Sequence, residues 1–397
     1  MVINMKKIAC ICLSVCLAMT LLCGCSKQNT KSNYSDDVVV EEIIVDDTSS
    51  GTDESSSNTE TPDVPSVDSS SADNSSVDNP SQNTSSKADP ASCSHSYDGG
   101  KVEQKAELFK AGTKKYTCTK CDDSYTSSYP VEKIKLLSIS NSYGQDSFMK
   151  MDEICVQAGI TDIDIAVLYY PGCSLDTHFE KINGTHENGY TLYRYTDETG
   201  TWNNPQYDAY DTDITEFLNE NSDWDIIALQ QSSGGSGNSG SFANLDNIIS
   251  YVSEKCPNAK LLWNMTWAYP NGSKYLDSYG DTNTMYNSII SCANDIIAPK
   301  VKAGALHSIV PVGTAVMNAR TSSLESTVHR DESHLSEDFG RYIAALTWFC
   351  HLTGQSPYDT AFAANSYILS DKMDVILEST KNALENPYKI TQSIYTE

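Results

Sequence analysis

From residue 133 onward, short apolar runs recur along the chain, and each has the length of a buried strand. Val, Ile and Leu dominate the runs, and longer, more polar segments separate them. The runs are Lys135–Ser140, Ile163–Tyr170, Trp224–Gln230, Leu261–Thr266 and Leu306–Val312. Because their apolar residues are continuous rather than alternating, they predict strands buried on both faces, as in a parallel sheet.

The segments between these runs have helical periodicity, with apolar residues three and four positions apart. The clearest patterns begin at Phe148, Leu245 and Met285. Strands that alternate with helices predict one α/β domain over residues 133–390. In such a sheet the active site lies beyond the carboxyl ends of the strands. His307 falls inside the last run and is expected to be a core histidine.

The first residues have the character of an export signal. Lys6 and Lys7 precede an apolar run from Ile8 to Leu22, too short for a mature membrane span. The run ends in Leu-Cys-Gly-Cys and resembles the lipobox of bacterial lipoproteins. That resemblance implies that residues 1–24 are removed and that Cys25 is lipidated. The alternative is an ordinary signal peptide cleaved nearby.

Residues 25–92 have the composition of a disordered tether. Ser, Asp, Asn and Thr dominate, and few large apolar side chains are present to offset the cost of ordering the chain. Between Asp36 and Asp89 there are fourteen acidic residues and one Lys, about half of the net charge of -26. The negative charge therefore favours solubility and argues against nucleic-acid binding.

Residues 93–130 predict a small Cys/His module. Cys93 and His95 form one pair of metal-binding side chains, and Cys118 and Cys121 form a second. Two such pairs can enclose a tetrahedral Zn²⁺, and a module this small needs a staple of that kind. The stretch around Cys118 resembles modules in surface proteins of Gram-positive bacteria. A Cys118–Cys121 disulfide without metal is the alternative, which an extracellular location permits.

Polar residues follow the predicted strands in a recurring order. Ser142 follows the first, Gly172 the second and Gln230 ends the third, while Asp331 and His334 precede a helix near the C-terminus. This order resembles the SGNH (GDSL-like) hydrolase superfamily, in which a Ser, a Gly, an amide and Asp-x-x-His come in this sequence. The resemblance covers residues 134–355. It implies a three-layer, flavodoxin-like fold and a serine esterase that needs no cofactor for catalysis.

The resemblance also assigns roles. Ser142 is implied as the nucleophile, His334 as its general base and Asp331 as the carboxylate that orients the imidazole. The backbone N–H groups of Ser142 and Gly172, with the amide of Gln230, are implied as oxyanion donors. The usual Gly-x-Asn-Asp after the third strand is replaced by Leu-Gln-Gln-x-Ser. This replacement resembles carbohydrate-esterase-like branches, and it leaves Gln231 as an alternative donor.

Fewer sequence features point to residues that bind substrate. His178, Gln231 and Trp202 are candidate substrate-binding residues, and Trp202 lies in a Tyr-rich insert over residues 190–210. The insert is most simply a hairpin packed on the domain. Because sugars stack on exposed aromatic rings, a glycan subsite is the alternative.

Together these features predict an extracellular serine esterase that deacetylates a carbohydrate through an acyl-enzyme on Ser142. The enzyme is expected on the outer face of a bacterial membrane, that of a Gram-positive species, held there by its lipid anchor. The alternatives are a non-catalytic glycan-binding or scaffold lipoprotein that retains the fold, and a lipase or thioesterase of the same superfamily. No sequence feature identifies the acyl group or the sugar.

Overall fold

A computed structural model of the chain describes residues 92–203, 210–359 and 370–397. The predicted leader 1–24, the lipidation site Cys25 and the predicted tether up to residue 91 lie outside these ranges. Among the described helices, none is long and apolar enough to cross a membrane.

The centre of the larger domain is a six-stranded sheet with the order β6-β5-β4-β7-β8-β9. All neighbours are parallel except β5 and β6, which are antiparallel. The strands are β4 (Lys133–Ser140), β5 (Asp162–Tyr169), β6 (Thr191–Thr196), β7 (Ile226–Leu229), β8 (Lys260–Asn264) and β9 (Ser308–Val310). The parallel strands taken in chain order stand as 2-1-3-4-5, which is the flavodoxin-like order, so the predicted fold class is confirmed.

The burial of each strand follows from its place in the sheet. Every residue of β7 is buried, as are the last five of β4 and of β5, since helices cover the sheet. By contrast β6 alternates buried and half-buried residues, which fits an edge strand. It occupies the first part of the predicted Tyr-rich insert, of which residues 204–209 are not described. The insert therefore adds an antiparallel strand to the sheet, and it turns back on itself as the predicted hairpin does, since Tyr195 and Trp202 form an antiparallel bridge.

The helices form two packed groups against the sheet. One group contains α1 (Ser142–Phe148), α2 (Met151–Gln157), α8 (Val312–Ala319), α9 (Gly340–Thr353) and α10 (Ser370–Glu385). The other contains α3 (Leu175–Ile182), α4 (Ile214–Glu220) and α5 (Leu245–Lys255), while α6 (Thr282–Cys292) continues through a π-helical segment, Ala293–Ile297, into α7 (Ala298–Lys302). The C-terminal segment also belongs to this domain, because Ile394 donates its backbone N–H to Glu378. The predicted boundary at residue 390 therefore falls short.

The small module is an antiparallel sheet of β1 (Lys101–Gln104), β2 (Gly112–Thr117) and β3 (Ser124–Tyr129). Its β1–β2 connection docks on the larger domain through Phe109, whose N–H donates to the carbonyl of Leu352. The Phe109 ring lies 4.2 Å from the ring of His307, centre to centre. The expectation of a core histidine is wrong, because β9 begins one residue later and His307 is exposed. The module thus packs at the amino end of the strands.

Candidate active site

Three predicted residues meet at the carboxyl end of β4. Ser142 is the first residue of α1, directly beyond the strand, and its Oγ lies 2.9 Å from Nε2 of His334. The other ring nitrogen of His334, Nδ1, lies 2.8 Å from Oδ2 of Asp331. Both distances lie within hydrogen-bond reach, so the side chains form a continuous Ser–His–Asp chain. It joins positions 192 residues apart in the sequence.

The Asp331 carboxyl is held in its ionised form. Its Oδ1 accepts the backbone N–H groups of Ser333 and His334, at 2.8 and 2.7 Å. Partial burial alone would raise the pKa of Asp331, but these bonds and the His334 ring outweigh it and hold that pKa at about 2. An ionised Asp331 accepts the Nδ1–H of His334, which leaves Nε2 as the acceptor that faces Ser142.

The turn that presents Ser142 depends on Asn141 and Gly144. Asn141 is the N-cap of α1, and its Oδ1 accepts the N–H of Tyr143 at 2.9 Å. A Cβ on Gly144 would lie 2.0 Å from Oγ of Ser140. Glycine is therefore required for α1 to begin this close to the end of β4.

Two backbone N–H groups are available near Ser142. Because Asn141 is the N-cap, the N–H of Ser142 is in the first helical turn and has no intrahelical partner. Gly172 is exposed with φ of 60°, and within the described ranges its N–H makes no hydrogen bond. A 2.9 Å bond from Nδ2 of Asn141 to the carbonyl of Cys173 joins the two loops. This arrangement can supply two oxyanion donors.

Gln230 does not occupy the position expected of an oxyanion donor. It is 1% exposed, and its Nε2 donates to Oδ1 of Asn141 at 2.7 Å. Its Oε1 accepts Nδ2 of Asn264 at 2.8 Å. The Gln230 side chain thus holds Asn141 in place from inside the domain and does not face the open site. The expectation that Gln230 is an oxyanion donor is corrected.

The alternative donor, Gln231, is also occupied. It is fully buried, and its Oε1 accepts the N–H groups of Leu175 and Ser232. Its Nε2 donates to the carbonyl and hydroxyl of Ser241. Gln231 therefore ties two loops together, and it cannot contact substrate in this arrangement.

His178 and Trp202 are likewise not placed to bind substrate. His178 is 1% exposed, and its Nδ1 lies 2.7 Å from the hydroxyl of Tyr190. Trp202 bridges to Tyr195, which pairs with Ile165 in the first half of β5, and its Nε1 donates to Oδ1 of Asp152 at 3.0 Å. The active site lies at the carboxyl ends of the strands, so these contacts hold Trp202 away from it.

Sequence reasoning missed the residues that anchor the loop bearing Asp331 and His334. Asp146, fully buried on α1, accepts Nη1 of Arg330 at 2.9 Å and the N–H of Leu335 at 2.9 Å. Nε of Arg341 donates to the same carboxylate at 2.7 Å. Both ends of the loop are therefore fixed to α1. The available signal was a carboxylate one helical turn after Ser142, on the same face of the helix.

An aromatic pair also holds the loop that bears Asp331 and His334. The rings of Tyr143 and Trp267 stack with centroids 4.0 Å apart. Nε1 of Trp267 donates to the carbonyl of Ser333 at 2.8 Å. The ring of Tyr143 also meets the His334 ring edge-on, at 6.1 Å. Trp267 comes from the loop after β8, so three strand ends contribute to the site.

In the small module, the four predicted ligands lie together. The donor atoms of Cys93, His95, Cys118 and Cys121 all lie within 4.8 Å of one another, and the three cysteines are free thiols. The sulfurs of Cys93 and Cys118 are 3.9 Å apart. A tetrahedral site with Zn–S bonds of about 2.3 Å places its sulfurs about 3.8 Å apart. The spacing of Cys93 and Cys118 fits two ligands of one tetrahedral ion.

Comparison with known proteins assigns the larger domain to a family. The sequence profile of the family described as "Domain of unknown function (DUF4886)" matches residues 135–378. The crystal structure of a DUF4886 family protein from Bacteroides uniformis is 29% identical, with a TM-score of 0.59, and the match covers 67% of this chain and 100% of that one. No curated protein matches the chain.

Two further solved structures are more distant. A candidate SGNH hydrolase from Slackia heliotrinireducens is 18% identical with a TM-score of 0.38, and the match covers 54% of this chain and 97% of that one. A candidate GDSL-like lipase from Parabacteroides merdae is 12% identical with a TM-score of 0.35, and the match covers 55% of this chain and 95% of that one.

Proposed function

We propose that this protein, which belongs to the DUF4886 family, is a serine ester hydrolase. The observation that carries the proposal is the hydrogen-bonded chain from Ser142 through His334 to Asp331. Each residue type and each contact suits its role in acyl transfer, from nucleophile to base to orienting carboxylate.

In the proposed reaction, Nε2 of His334 removes the proton of the Ser142 hydroxyl as Oγ attacks the ester carbonyl. The negative charge that develops on the carbonyl oxygen is stabilised by the N–H groups of Ser142 and Gly172. Collapse of the tetrahedral intermediate breaks the ester C–O bond, and His334 returns the proton to the departing alcohol. Water, deprotonated by His334, then attacks the acyl-enzyme, and the acid leaves with Ser142 regenerated.

The experiment is hydrolysis of an aryl acetate by the wild type and by Ser142→Ala. Loss of a triad member is expected to lower turnover by several orders of magnitude. Ser291→Ala is the matched control, because Ser291 is an exposed serine of α6 whose hydroxyl donates to the carbonyl of Asn287 in the same helix. If Ser142→Ala retains more than a tenth of wild-type turnover, the assignment of the nucleophile is wrong.

For the substrate, we propose an acetylated carbohydrate. The support is the Leu229-Gln230-Gln231-x-Ser233 stretch, which resembles carbohydrate-esterase-like branches of the superfamily. Lipases and thioesterases use the same triad, so the test is a panel of acetylated oligosaccharides, long-chain aryl esters and acyl thioesters. Faster hydrolysis of a long-chain ester or a thioester than of every acetylated sugar would contradict the carbohydrate assignment.

For the location, we propose the outer face of a bacterial membrane, with the lipid on Cys25. The basic and apolar leader and the Leu-Cys-Gly-Cys ending support it. Cells that express the chain should incorporate labelled fatty acid into it, and Cys25→Ser should abolish the label. Label retained in Cys25→Ser would refute the anchor.

For the small module, we propose a structural Zn²⁺ held by Cys93, His95, Cys118 and Cys121. The N–H groups of Ser96 and Lys120 reach Sγ of Cys118 at 3.5 and 3.4 Å, the kind of contact that stabilises a metal-bound thiolate. Four protein ligands close a tetrahedral site, so the metal would contribute stability and no chemistry.

Metal analysis of the protein purified under reducing conditions tests the zinc proposal. One zinc per chain is expected, and it should fall to background when Cys118 and Cys121 are both changed to Ser. A metal-free wild type with a Cys118–Cys121 disulfide in mass spectrometry would support the alternative.

A further inference from the structure

A cavity of about 570 Å³ lies directly beside the triad. Asp331 forms part of its wall, with Pro270 and Asn271 from the loop after β8 and with Arg320 and His329 from the segment after α8. Its volume lies within the range of small-molecule sites, about 300–1,000 Å³. A group bound in it would lie next to the reacting centre.

Two of the residues that line the cavity carry buried nitrogen atoms without a hydrogen-bond partner in the described part of the chain. They are Nε of Arg320 and Nε2 of His329. The Arg320 side chain is buried, with the residue 7% exposed. Its other two guanidinium nitrogens have partners: Nη1 donates to the carbonyl of Tyr269, and Nη2 pairs with the carboxylate of Glu325. Buried polar atoms are rarely left without a partner, so this wall is suited to a ligand that offers hydrogen-bonding groups.

An exposed aromatic ring packs against Tyr269, whose carbonyl accepts from Arg320 of the cavity wall. Tyr275 is 48% exposed, and its ring lies 5.5 Å from that of Tyr269. Its neighbour Lys274 has Nζ over one face of the ring, 5.1 Å from the ring centre, and forms an ion pair with Glu332, the residue after Asp331, at 3.4 Å. Tyr275 therefore stands on the triad side of the molecule. A flat aromatic surface next to a polar cavity is suited to the apolar face and hydroxyl edge of a sugar ring.

The charges favour a neutral sugar over an acidic one. Arg320 is already paired with Glu325 at 3.6 Å, so its positive charge is compensated. Asp331 contributes a negative charge to the same wall, and the positive charge of Arg330, which also lines it, is compensated by Asp146 at 2.9 Å. A carboxylate or phosphate in the cavity would be repelled by both acidic groups, whereas hydroxyls can donate to them and accept from Arg320.

We propose that this cavity, together with the exposed face of Tyr275, is a subsite for a neutral sugar ring that carries or flanks the scissile ester. The inference rests on the proposed ester hydrolase function and specifies the part of the substrate that is recognised.

The test is calorimetric titration of the full chain with Ser142→Ala, which binds without turnover. The probes are acetylated trisaccharides of xylose, of mannose and of N-acetylglucosamine, with trigalacturonate as the acidic comparison. At least one neutral saccharide should bind saturably and more tightly than trigalacturonate. Adding Tyr275→Ala or Arg320→Lys should raise its Kd at least tenfold. Tyr358→Ala is the matched control, because Tyr358 is 53% exposed and lies beyond the C-terminus of α9.

The subsite is refuted if none of the neutral saccharides binds, or if trigalacturonate binds more tightly. It is also refuted if Tyr275→Ala and Arg320→Lys both match Tyr358→Ala. Hydrolysis of an aryl acetate by the chain with Ser142 intact is measured in parallel. Aryl acetate turnover without saccharide binding would remove the subsite alone, whereas absence of turnover would remove the proposed function.

Discussion

The Asp146 carboxylate offers the sharpest test of how the fold holds the triad. It is fully buried and accepts bonds from Arg330, Arg341 and the N–H of Leu335. Arg330 and Leu335 flank Asp331 and His334 on either side. Asp146→Asn keeps the shape of the side chain, but it removes the charge and turns an NH₂ group toward donors.

The expected effect has a stability part and a catalytic part. Removing one partner of a buried ion pair costs about 3–5 kcal/mol, and the lower value applies because the arginine side chains are 30% and 15% exposed. For a domain of this size, about 3 kcal/mol corresponds to a Tm lower by roughly 6–12 °C. A shift of the loop by about 1 Å can cost on the order of a hundredfold in kcat.

The matched control is Asp164→Asn. Asp164 is 15% exposed and forms a bidentate ion pair with Arg194, at 2.8 Å on both bonds, near the amino end of β5. Its loss should lower the Tm by a comparable amount and leave kcat unchanged. The assay is aryl acetate hydrolysis well below both Tm values, alongside thermal unfolding. Equal kcat for the two variants would refute the idea that Asp146 positions the triad.

Three other outcomes are expected. In thermal melts, Gln230→Ala should lower the unfolding free energy by about 1–3 kcal/mol, because Asn264 and Asn141 lose a buried partner. Loss of a group that acted only as an oxyanion donor would instead lower kcat and leave the melts unchanged. Burial holds the pKa of His178 at about 3, below its ordinary 6.5, so unfolding takes up a proton between those values. The contribution of His178 to stability is therefore full above pH 6.5 and falls as the pH decreases, by about 2 kcal/mol at pH 5, and His178→Gln should remove that part of the pH dependence in thermal melts. Chelation of the proposed zinc should lower the Tm while aryl acetate turnover at 25 °C persists; an unchanged Tm would count against a structural metal.

The parallel core was predictable because its signal is local and strong. A strand buried on both faces must be continuously apolar, and each predicted run overlaps one of β4, β5, β7, β8 and β9. The edge strand β6 was not assigned to the sheet. From Tyr193 to Thr196 its sequence alternates aromatic and polar residues, which fits a hairpin packed on the domain as well as an edge strand.

The Ser, His and Asp positions were predictable for a related reason. Strand ends in a parallel sheet meet at one edge, which brings Ser142 and Gly172 together, and three residues are few enough for Asp331 to reach His334. The orientations of Gln230 and His178 were not predictable, because each depends on a partner elsewhere in the chain. Asn264, which accounts for one end of Gln230, comes 34 residues later.

The inward orientation of Gln230 has a consequence for the proposed chemistry. With both glutamines engaged inside the domain, the oxyanion would be stabilised by the N–H groups of Ser142 and Gly172. One further donor is typically worth about 2.7–4 kcal/mol in the barrier, a factor of about 10² to 10³ in rate. Two backbone donors are also the number in the oxyanion hole of serine proteases, so the donors alone do not select the acyl group or the leaving group. Selection would then depend on contacts beyond the triad, such as the cavity wall formed by Arg320 and Asn271.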